Sequence, residues 1–490
     1  MKKFTKLMCG VLSLGFALTG CATVSSIKNE NQEIIYNGNA AVAVGEQLYF
    51  SNAFADYTVF EDTSDYKAAA KYSYISRLNT SIELAAESGD YSPAKVEKFN
   101  SDVSGHLKAF TFVLGNYIYY VTPNKEEAVS EEGVSGHYFA HSTFYRAKLN
   151  GSGKSKIYST TGEVSNLEVL KFDGKYYMVM LAGDKLVRIQ IGNSVKSAEV
   201  LAEEVKSIAI PETYQENNNA TSLKWNGKIY FVTDRDGDEN ITGSVVKSIS
   251  VDAKKGEETQ VYSSIGKTIT LSGREKDVVF YTLAESGKQT EVFKFDTNAV
   301  NGQVVLGKAE DRVMATDSIS ELNLIASSSR ELGYSFISAN ESLMVMTKEG
   351  KLKTVSLTCG EKTVSGYKVL ATKDRTLYLS TTEIIYSVDL SDAFSTEAQT
   401  ISIECREIVK MEDGTISDNA IGALDGEYVY FYAKLQKIET EEEDKDDETE
   451  EEEEDNNLYM YRAKVGKSGE DNYELLSKTV IKSRHSVEKE

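Results

Sequence analysis

The sequence predicts an all-β protein: a β-propeller of seven or eight four-stranded blades that follows an N-terminal signal segment. One pattern recurs along the chain: an apolar strand, a turn with Gly, Asn or Asp, a second strand rich in Tyr and Val, and two further strands. Helical periodicity is nearly absent, and candidate units start about 33 to 70 residues apart, the range expected of propeller blades. The eight candidate units start at Ala41, Phe110, Asn166, Thr221, Thr268, Gly333, Gly366 and Asn419.

The turns between the first two strands of the units have the composition of tight hairpins. Gly45-Glu46, Asp173-Gly174, Asn226-Gly227 and Asp425-Gly426 each separate two apolar strands. Glycine, asparagine and aspartate tolerate the positive φ angles that such turns require. The strands alternate incompletely between apolar and polar residues, which indicates sheets covered on both faces by neighbouring blades.

The number of blades depends on residues 308–330, where the strand pattern is weakest. This stretch is either an irregular blade edge or a short helix, and the count is accordingly seven or eight. We expect the propeller to occupy residues 33–480, with 481–490 as a tail. A strand near Glu33–Tyr36 is expected to close the ring by pairing with the last unit.

The first 20 residues have the features of a signal peptide. Lys2, Lys3 and Lys6 precede an apolar run of about a dozen residues, which is short of the roughly 20 that span a bilayer. The run ends in Leu-Thr-Gly-Cys at residues 18–21, which resembles the lipobox of bacterial lipoproteins. This resemblance implies cleavage before Cys21, lipid on its sulfur and an extracytoplasmic, membrane-anchored protein, with residues 21–32 as a polar tether.

Two units resemble known propeller repeats. The unit that contains Tyr119, Tyr120, Tyr145, Arg146 and Gly151 resembles the low-density-lipoprotein-receptor-like repeat. A second unit resembles the TolB-like and WD40-like repeat at Trp225, Gly227, Lys228, Phe231, Asp234, Arg235, Asp236 and Gly237. The resemblance implies a propeller used mainly for binding, and it carries over no catalytic residue.

The charge of the chain is strongly negative. The net charge is -22, and fourteen acids with one lysine lie in the run 439–455 inside the last unit. This balance argues against nucleic acid as a partner and against attraction to anionic headgroups. Like charges at this density repel one another, so the run is expected to be a disordered loop. Binding of divalent cations or of a basic partner is the alternative role for it.

One loop has the oxygen-rich composition of a calcium site. Asp234, Asp236, Asp238 and Asn240 alternate along it, and oxygen ligands at this spacing suit Ca²⁺. The alternative is a polar hairpin loop of the repeat, and no other cofactor is expected. His137 and His141 lie in a loop with no helix to hold them as zinc ligands, so we expect exposed histidines there.

No catalytic residue is predicted. The chain has four histidines and no G-x-S-x-G motif, so nucleophilic hydrolysis has little support. Cys359 and Cys405 are the only cysteines beyond Cys9 and Cys21, and the sequence leaves open whether they pair or remain buried thiols.

The predicted function is that of a binding or scaffold module for a protein, a peptide or a glycan. Loops 52–71, 123–142 and 211–220 are the expected contact surface. The alternatives are a glycan-active hydrolase or lyase with carboxylates at the propeller channel, and an envelope-assembly factor. The candidate ligand-binding residues are Tyr57, Tyr66, His137, Tyr138, His141 and Tyr214.

Overall fold

The protein is built almost entirely of short antiparallel strands, because valine and tyrosine fill the strand positions and tight turns separate them. Each blade comes from one contiguous stretch of chain, with strands A to D running from the inside of the ring to the outside. The computed structural model describes residues 34–36, 41–51, 75–79, 96–99, 110–123, 129–130, 137–138, 142–160, 164–211, 214–216, 219–221, 225–235, 243–275, 277–298, 306–315, 319–323, 333–338, 342–347, 349–411, 414–416, 422–435, 459–469 and 472–476.

The first four blades include two insertions that pair outside the four-stranded pattern. Strand β1 (Ile34–Ile35) precedes blade 1. Blade 1 comprises β2 (Ala41–Val44), β3 (Gln47–Ser51), β4 (Ile75–Asn79) and β5 (Val96–Lys98). Blade 2 comprises β6 (Phe112–Leu114), β7 (Tyr117–Pro123), β10 (Ser142–Lys148) and β11 (Ser155–Ser159), with the ribbon β8 (Val129–Ser130) and β9 (His137–Tyr138). Blade 3 comprises β12 (Val164–Phe172), β13 (Lys175–Ala182), β14 (Lys185–Ile191) and β15 (Glu199–Ala202). Blade 4 comprises β16 (Val205–Ala209), β19 (Lys228–Asp234), β20 (Ser244–Ser250) and β21 (Thr259–Ser263), with the hairpin β17 (Tyr214–Glu216) and β18 (Asn219–Thr221).

The last four blades contain the two short helices of the described chain. Blade 5 comprises β22 (Lys267–Glu275), β23 (Val278–Glu285), β24 (Glu291–Asp296) and β25 (Arg312–Ala315), with a 3-10 turn at Ala309–Asp311. Blade 6 comprises β26 (Ile319–Asn323), β27 (Tyr334–Ser338), β28 (Leu343–Met346) and β29 (Leu352–Cys359), followed by β30 (Lys362–Thr363). Blade 7 comprises β31 (Lys368–Lys373), β32 (Thr376–Ser380), β33 (Ile384–Asp389) and β35 (Arg406–Lys410), with α1 (Ser391–Ser395) and β34 (Thr400–Glu404) between its last two strands. Blade 8 comprises β36 (Gly414–Ile416), β38 (Tyr428–Leu435), β39 (Tyr459–Lys464) and β40 (Glu474–Leu475), with β37 (Ala423–Leu424) beside β38.

The prediction of a propeller is therefore confirmed, and the number of blades is eight. The weak stretch 308–330 contains two strands that belong to different blades: β25 is the outer strand of blade 5, and β26 is the inner strand of blade 6. The fourth unit begins earlier than the sequence indicated, because β16 at Val205–Ala209 is its inner strand.

Apolar side chains fill the space between every pair of adjacent blades. Eight clusters of buried residues lie between blades 1 and 2, 2 and 3, and so on around to blades 8 and 1. At the last of these interfaces, Leu48 and Phe50 of blade 1 pack with Tyr430 and Tyr432 of blade 8. The ring is closed by this packing, since each of the two blades supplies its own four strands.

The expected pairing of the N-terminal strand with the last unit is wrong. Strand β1 pairs instead with the inner strand of blade 2, where Ile34 lies opposite Leu114, and with β18, where Ile34 lies opposite Ala220. The free edge of β6 faces the ring axis and offers unpaired N–H and C=O groups, which β1 satisfies. Ile34 also joins the apolar cluster between blades 2 and 3, so burial fixes the strand in this position.

Polar bonds between neighbouring blades reinforce the apolar clusters. In the described chain, six of the eight interfaces have a polar side chain that donates to the turn between strands C and D of the next blade. Arg146 donates to the Gly192 carbonyl over 2.8 Å, and Arg406 donates to the Gly466 carbonyl over 2.9 Å. A bond from a charged donor is stronger than one between neutral groups, so these contacts hold the turns of successive blades together.

The Gly227 turn lies against an aromatic ring of the preceding blade. Gly227 has φ +75°, and a Cβ atom added there would lie 2.4 Å from the ring of Phe172. Gly174, in the equivalent turn of blade 3, has φ +69° and nothing within 4 Å of an added Cβ. The two glycines share backbone strain on substitution, but only Gly227 has a steric conflict.

Alanine substitutions at these two glycines are expected to separate strain from overpacking. Gly174→Ala should lower the free energy of unfolding by about 1–2 kcal/mol through the positive φ alone. Gly227→Ala should cost about 2–5 kcal/mol, because the clash with Phe172 is added. Urea denaturation of both variants measures the difference, and equal costs would show that Phe172 does not press on the turn.

Candidate functional site

The two ends of the propeller carry different kinds of connection. Because adjacent strands run antiparallel, the A–B and C–D turns share one end, here called the turn face. The B–C and blade-to-blade connections share the other end, here called the loop face. Most A–B turns have two residues, as at residues 45–46, 115–116 and 374–375. The turn face also has longer connections, such as the A–B connection of blade 4 (210–227) and the C–D connection of blade 7 (390–405), and the bonds between blades end on its C–D connections.

The loop face has its longest connections in one sector. The B–C connections of blades 8, 1 and 2 contain 23, 23 and 18 residues (436–458, 52–74 and 124–141). Those of blades 3 and 7 contain only two and three residues (183–184 and 381–383). Blades 8, 1 and 2 are neighbours in the closed ring, so these connections leave adjacent positions on the same face. We call this surface the long-loop sector.

Paired strands hold the stems of the long-loop sector. Ser51 lies opposite Ile75 in blade 1, and Pro123 lies opposite Ser142 in blade 2. In blade 8, Ala433 lies opposite Tyr459. The positions where the three connections leave and return are therefore set by the sheet register.

The topology brings most of the predicted ligand-binding residues to this sector. Tyr57 and Tyr66 belong to the connection of blade 1, and His137, Tyr138 and His141 belong to that of blade 2. Of these, His137 and Tyr138 form strand β9, which pairs with β8 in a two-stranded ribbon. Tyr57, Tyr66 and His141 lie outside the described residues, as do Cys21 and the acidic run 439–455 of the blade 8 connection.

Tyr214 lies elsewhere. It belongs to β17, which with β18 forms a hairpin in the A–B connection of blade 4, on the turn face. Strand β18 pairs with β1, which pairs with the inner strand of blade 2, so the three strands lie inside the ring of inner strands. The loop 211–220 therefore does not share a face with the other two predicted loops. The pairing partners of this hairpin are distant in sequence, and no local pattern identified them.

Only one member of the proposed calcium set lies within the described residues. Asp234 ends β19, and its carboxylate forms an ion pair with Lys206 over 3.1 Å, while Asp236, Asp238 and Asn240 lie outside the described part. The stem of this loop is fixed, because the Arg235 amide donates to the Gly243 carbonyl over 3.2 Å. In the parts of the chain that the structure describes, no three His, Cys, Asp or Glu side chains come together as metal ligands.

A buried arginine links blades 4 and 5 on the turn face. The Arg274 side chain is fully buried, and its guanidinium lies 5.4 Å from the Trp225 ring centroid and 5.3 Å from that of Tyr230. It donates to the Asn226 side-chain oxygen over 2.9 Å and to the Lys228 carbonyl. Burial lowers the pKa of Arg274 to about 10, so the group remains charged at neutral pH. With no access to solvent, it fastens the two blades and is not open to a ligand.

Arginines on strand C have a structural role that the sequence motifs did not assign to them. Arg146 and Arg462 follow Tyr145 and Tyr461 in two similar segments, FYRAKL and MYRAKV. Each guanidinium stacks on the ring of a tyrosine in strand B, 4.4 Å from Tyr117 and 4.5 Å from Tyr428 respectively. The repeated Tyr-Arg pair was the available signal, and it marks positions where a cation covers an aromatic ring.

Comparisons with known proteins find structures of similar fold, but they do not assign the chain to a family. No family model matches the chain, and no curated protein matches it. The β-propeller domain of the Trilobed protease from Pyrococcus furiosus aligns at 8% identity and TM-score 0.35, covering 72% of this chain and 93% of that one. A prolyl endopeptidase aligns at 9% identity and TM-score 0.35 over 85% of this chain, and prolyl oligopeptidase B from Galerina marginata at 11% and 0.35 over 76%. This chain covers 56% of the length of each of these last two structures.

The described residues contain no helix with the length and apolar character needed to cross a membrane.

Proposed function

We propose that this chain is a lipid-anchored, extracytoplasmic binding or scaffold module that engages a protein partner through its long-loop sector. The observation that carries the proposal is the concentration of the three longest B–C connections on three adjacent blades of one face. A rigid scaffold that presents clustered variable loops is the common arrangement of binding proteins.

The charge of the sector favours a basic partner surface. The blade 8 connection includes the run 439–455, which carries fourteen acids and one lysine. Such a field attracts cationic protein segments and speeds their encounter, whereas it repels anionic glycans and nucleic acids. Tyrosines in the neighbouring connections of blades 1 and 2 supply the amphipathic rings that protein interfaces favour.

The N-terminal segment supports the anchoring part of the proposal. Cys21 follows a charged and then an apolar run in the order of a lipoprotein signal. Two acyl chains on this cysteine would suffice for stable attachment. Residues 22–32 are mainly polar and would serve as a tether to the propeller, which begins near Ile34.

Site-specific photo-crosslinking in the producing cell tests the binding surface. A benzophenone amino acid placed at Tyr57, Tyr66 or Tyr138 should yield one shared adduct, because the three positions belong to one sector. The same probe at Lys254, an exposed residue of a C–D turn on the turn face, is the control and should yield none. Adduct masses on denaturing gels and mass spectrometry give the readout. Equal capture at Lys254, or no adduct at any sector position, would contradict the proposal.

Shortening one connection tests whether the sector acts as a unit. Residues 124–141 can be replaced by Asn-Gly, because Pro123 and Ser142 already lie opposite each other in the ladder. Crosslinking from Tyr57 should then fall by about tenfold, as expected when roughly 1.4 kcal/mol of contact is lost. The melting temperature should stay within a few degrees, since the altered residues lie outside the blade. Unchanged crosslinking in a folded variant would place the partner elsewhere.

Replacement of Cys21 tests the anchor. Cys21→Ser should move the protein from the membrane fraction to the soluble fraction, because the acylated sulfur is lost. Cys9→Ser, in the preceding apolar run, is the matched control and should remain with the membrane. Fractionation and immunoblotting measure both variants, and membrane association of Cys21→Ser would refute lipid anchoring at this residue.

A further inference from the structure

Two cysteines that are distant in sequence meet where the C–D connection of blade 7 crosses onto blade 6. Cys359 ends β29, the outer strand of blade 6. Strand β34 of the connection runs parallel to β29, with Thr358 opposite Glu404. The Cys405 amide then donates to the Thr358 carbonyl over 2.6 Å. One step further along the same register, Cys359 and Cys405 are neighbours on adjacent strands.

Both cysteine side chains lie on the same side of the sheet. Cys405 is buried in the apolar cluster between blades 6 and 7, and the half-buried Cys359 packs against that cluster. Adjacent strands lie about 4.8 Å apart, which falls within the Cα–Cα range of disulfides. Burial and the neighbouring Cys359 thiol raise the pKa of Cys405 to about 12, as expected for two thiols in close proximity.

We propose that Cys359 and Cys405 form a disulfide that fastens blade 7 to blade 6 when the chain meets an external disulfide. The bond joins the end of β29 to the point where the chain leaves β34 for β35. It thereby locks the excursion of blade 7 onto the edge of blade 6, where the parallel ladder, α1 and the Lys351–Glu397 ion pair already hold it. The inference stands on the strand register and the shared apolar cluster, and it does not depend on the proposed binding function.

The reaction is a thiol–disulfide exchange in which an external disulfide is the oxidant. Cys359, the more accessible thiol, loses its proton to solvent, and its thiolate attacks one sulfur of the external disulfide. This forms a mixed disulfide and releases one external thiolate. Cys405 then loses its proton and attacks the Cys359 sulfur, forming the protein disulfide and releasing the second external thiolate. Two protein thiols are oxidised, and one external disulfide is reduced to two thiols.

The bond would enclose most of blade 7. The closed loop runs from residue 359 to residue 405 and contains strands β30, β31, β32, β33 and β34 together with α1. A cross-link around a loop of this length removes conformational freedom from the unfolded chain and so favours the folded state. Oxidation is therefore expected to raise the melting temperature by about 2–6 °C.

Peptide mapping after oxidation tests the proposal directly. The full chain with Cys9→Ser and Cys21→Ser, which leaves only this pair, is incubated folded with glutathione disulfide. It is then quenched in acid, denatured and alkylated. Digestion after Lys and Arg places Cys359 in peptide 354–362 and Cys405 in peptide 376–406. The two peptides should be recovered joined, about 2 Da lighter than their sum, and should separate on reduction.

Single variants distinguish an internal bond from general oxidation. Adding Cys405→Ser should stop the reaction at a glutathione adduct on peptide 354–362, because no second thiol is present to displace it. Circular dichroism before and after oxidation confirms that the fold is retained. Full alkylation of both cysteines after oxidation, or glutathione adducts on both without joined peptides, would overturn the proposal.

Discussion

A sheet that is apolar on both faces has to be covered on both, and this requirement arranges the whole molecule. Each of blades 2 to 7 is covered on both faces by the two blades that flank it in sequence. One face of blade 1 and one face of blade 8 are left to be covered. Packing these two faces against each other closes the ring. Leu48 and Phe50 on one side and Tyr430 and Tyr432 on the other supply the contact. The closure therefore depends on complementary side chains, without a shared strand.

The two faces of the propeller differ in how their connections are held. On the turn face, donors such as Arg146, Lys353 and Arg406 bond the C–D turn of the next blade, and two-residue hairpins join most A and B strands. Long insertions in exposed loops cost little stability when their stems are fixed. Blades 8, 1 and 2 carry such insertions on the loop face, and the blade closure lies within this same sector. The surface proposed for binding thus surrounds the interface between blades 8 and 1, where the ring closes.

The sequence was most informative where structure is local. Hairpin turns such as Asp173-Gly174 and strands such as Ile229–Phe231 follow from turn chemistry and from strand-forming residues. These features identified the propeller and most of its blades. The sequence did not predict pairings between distant segments, because an inner edge such as β6 accepts any strand with free backbone groups. The expected pairing of Glu33–Tyr36 with the last blade failed for this reason.

The sequence predicted only part of the candidate site, because the site depends on which loops share a face. Loop tyrosines and histidines can be recognised from composition, and the blade order decides which of them share a face. Tyr57 and Tyr138 fall in B–C connections of adjacent blades, whereas Tyr214 falls in an A–B connection on the opposite end. The structure was required to count the strands in the irregular 308–330 stretch. It was also required to place β16 before the hairpin of blade 4.

Two matched substitutions measure how much side-chain packing between blades 1 and 8 contributes to closure of the ring. Phe50 at the interface of blades 8 and 1 and Phe231 at that of blades 3 and 4 occupy the third position of Leu-Tyr-Phe and Ile-Tyr-Phe, and both are fully buried. Phe50→Ala and Phe231→Ala should each lower the free energy of unfolding by about 3–5 kcal/mol in urea denaturation. A near-neutral Phe50→Ala beside a destabilising Phe231→Ala would show that packing between blades 1 and 8 does not close the ring.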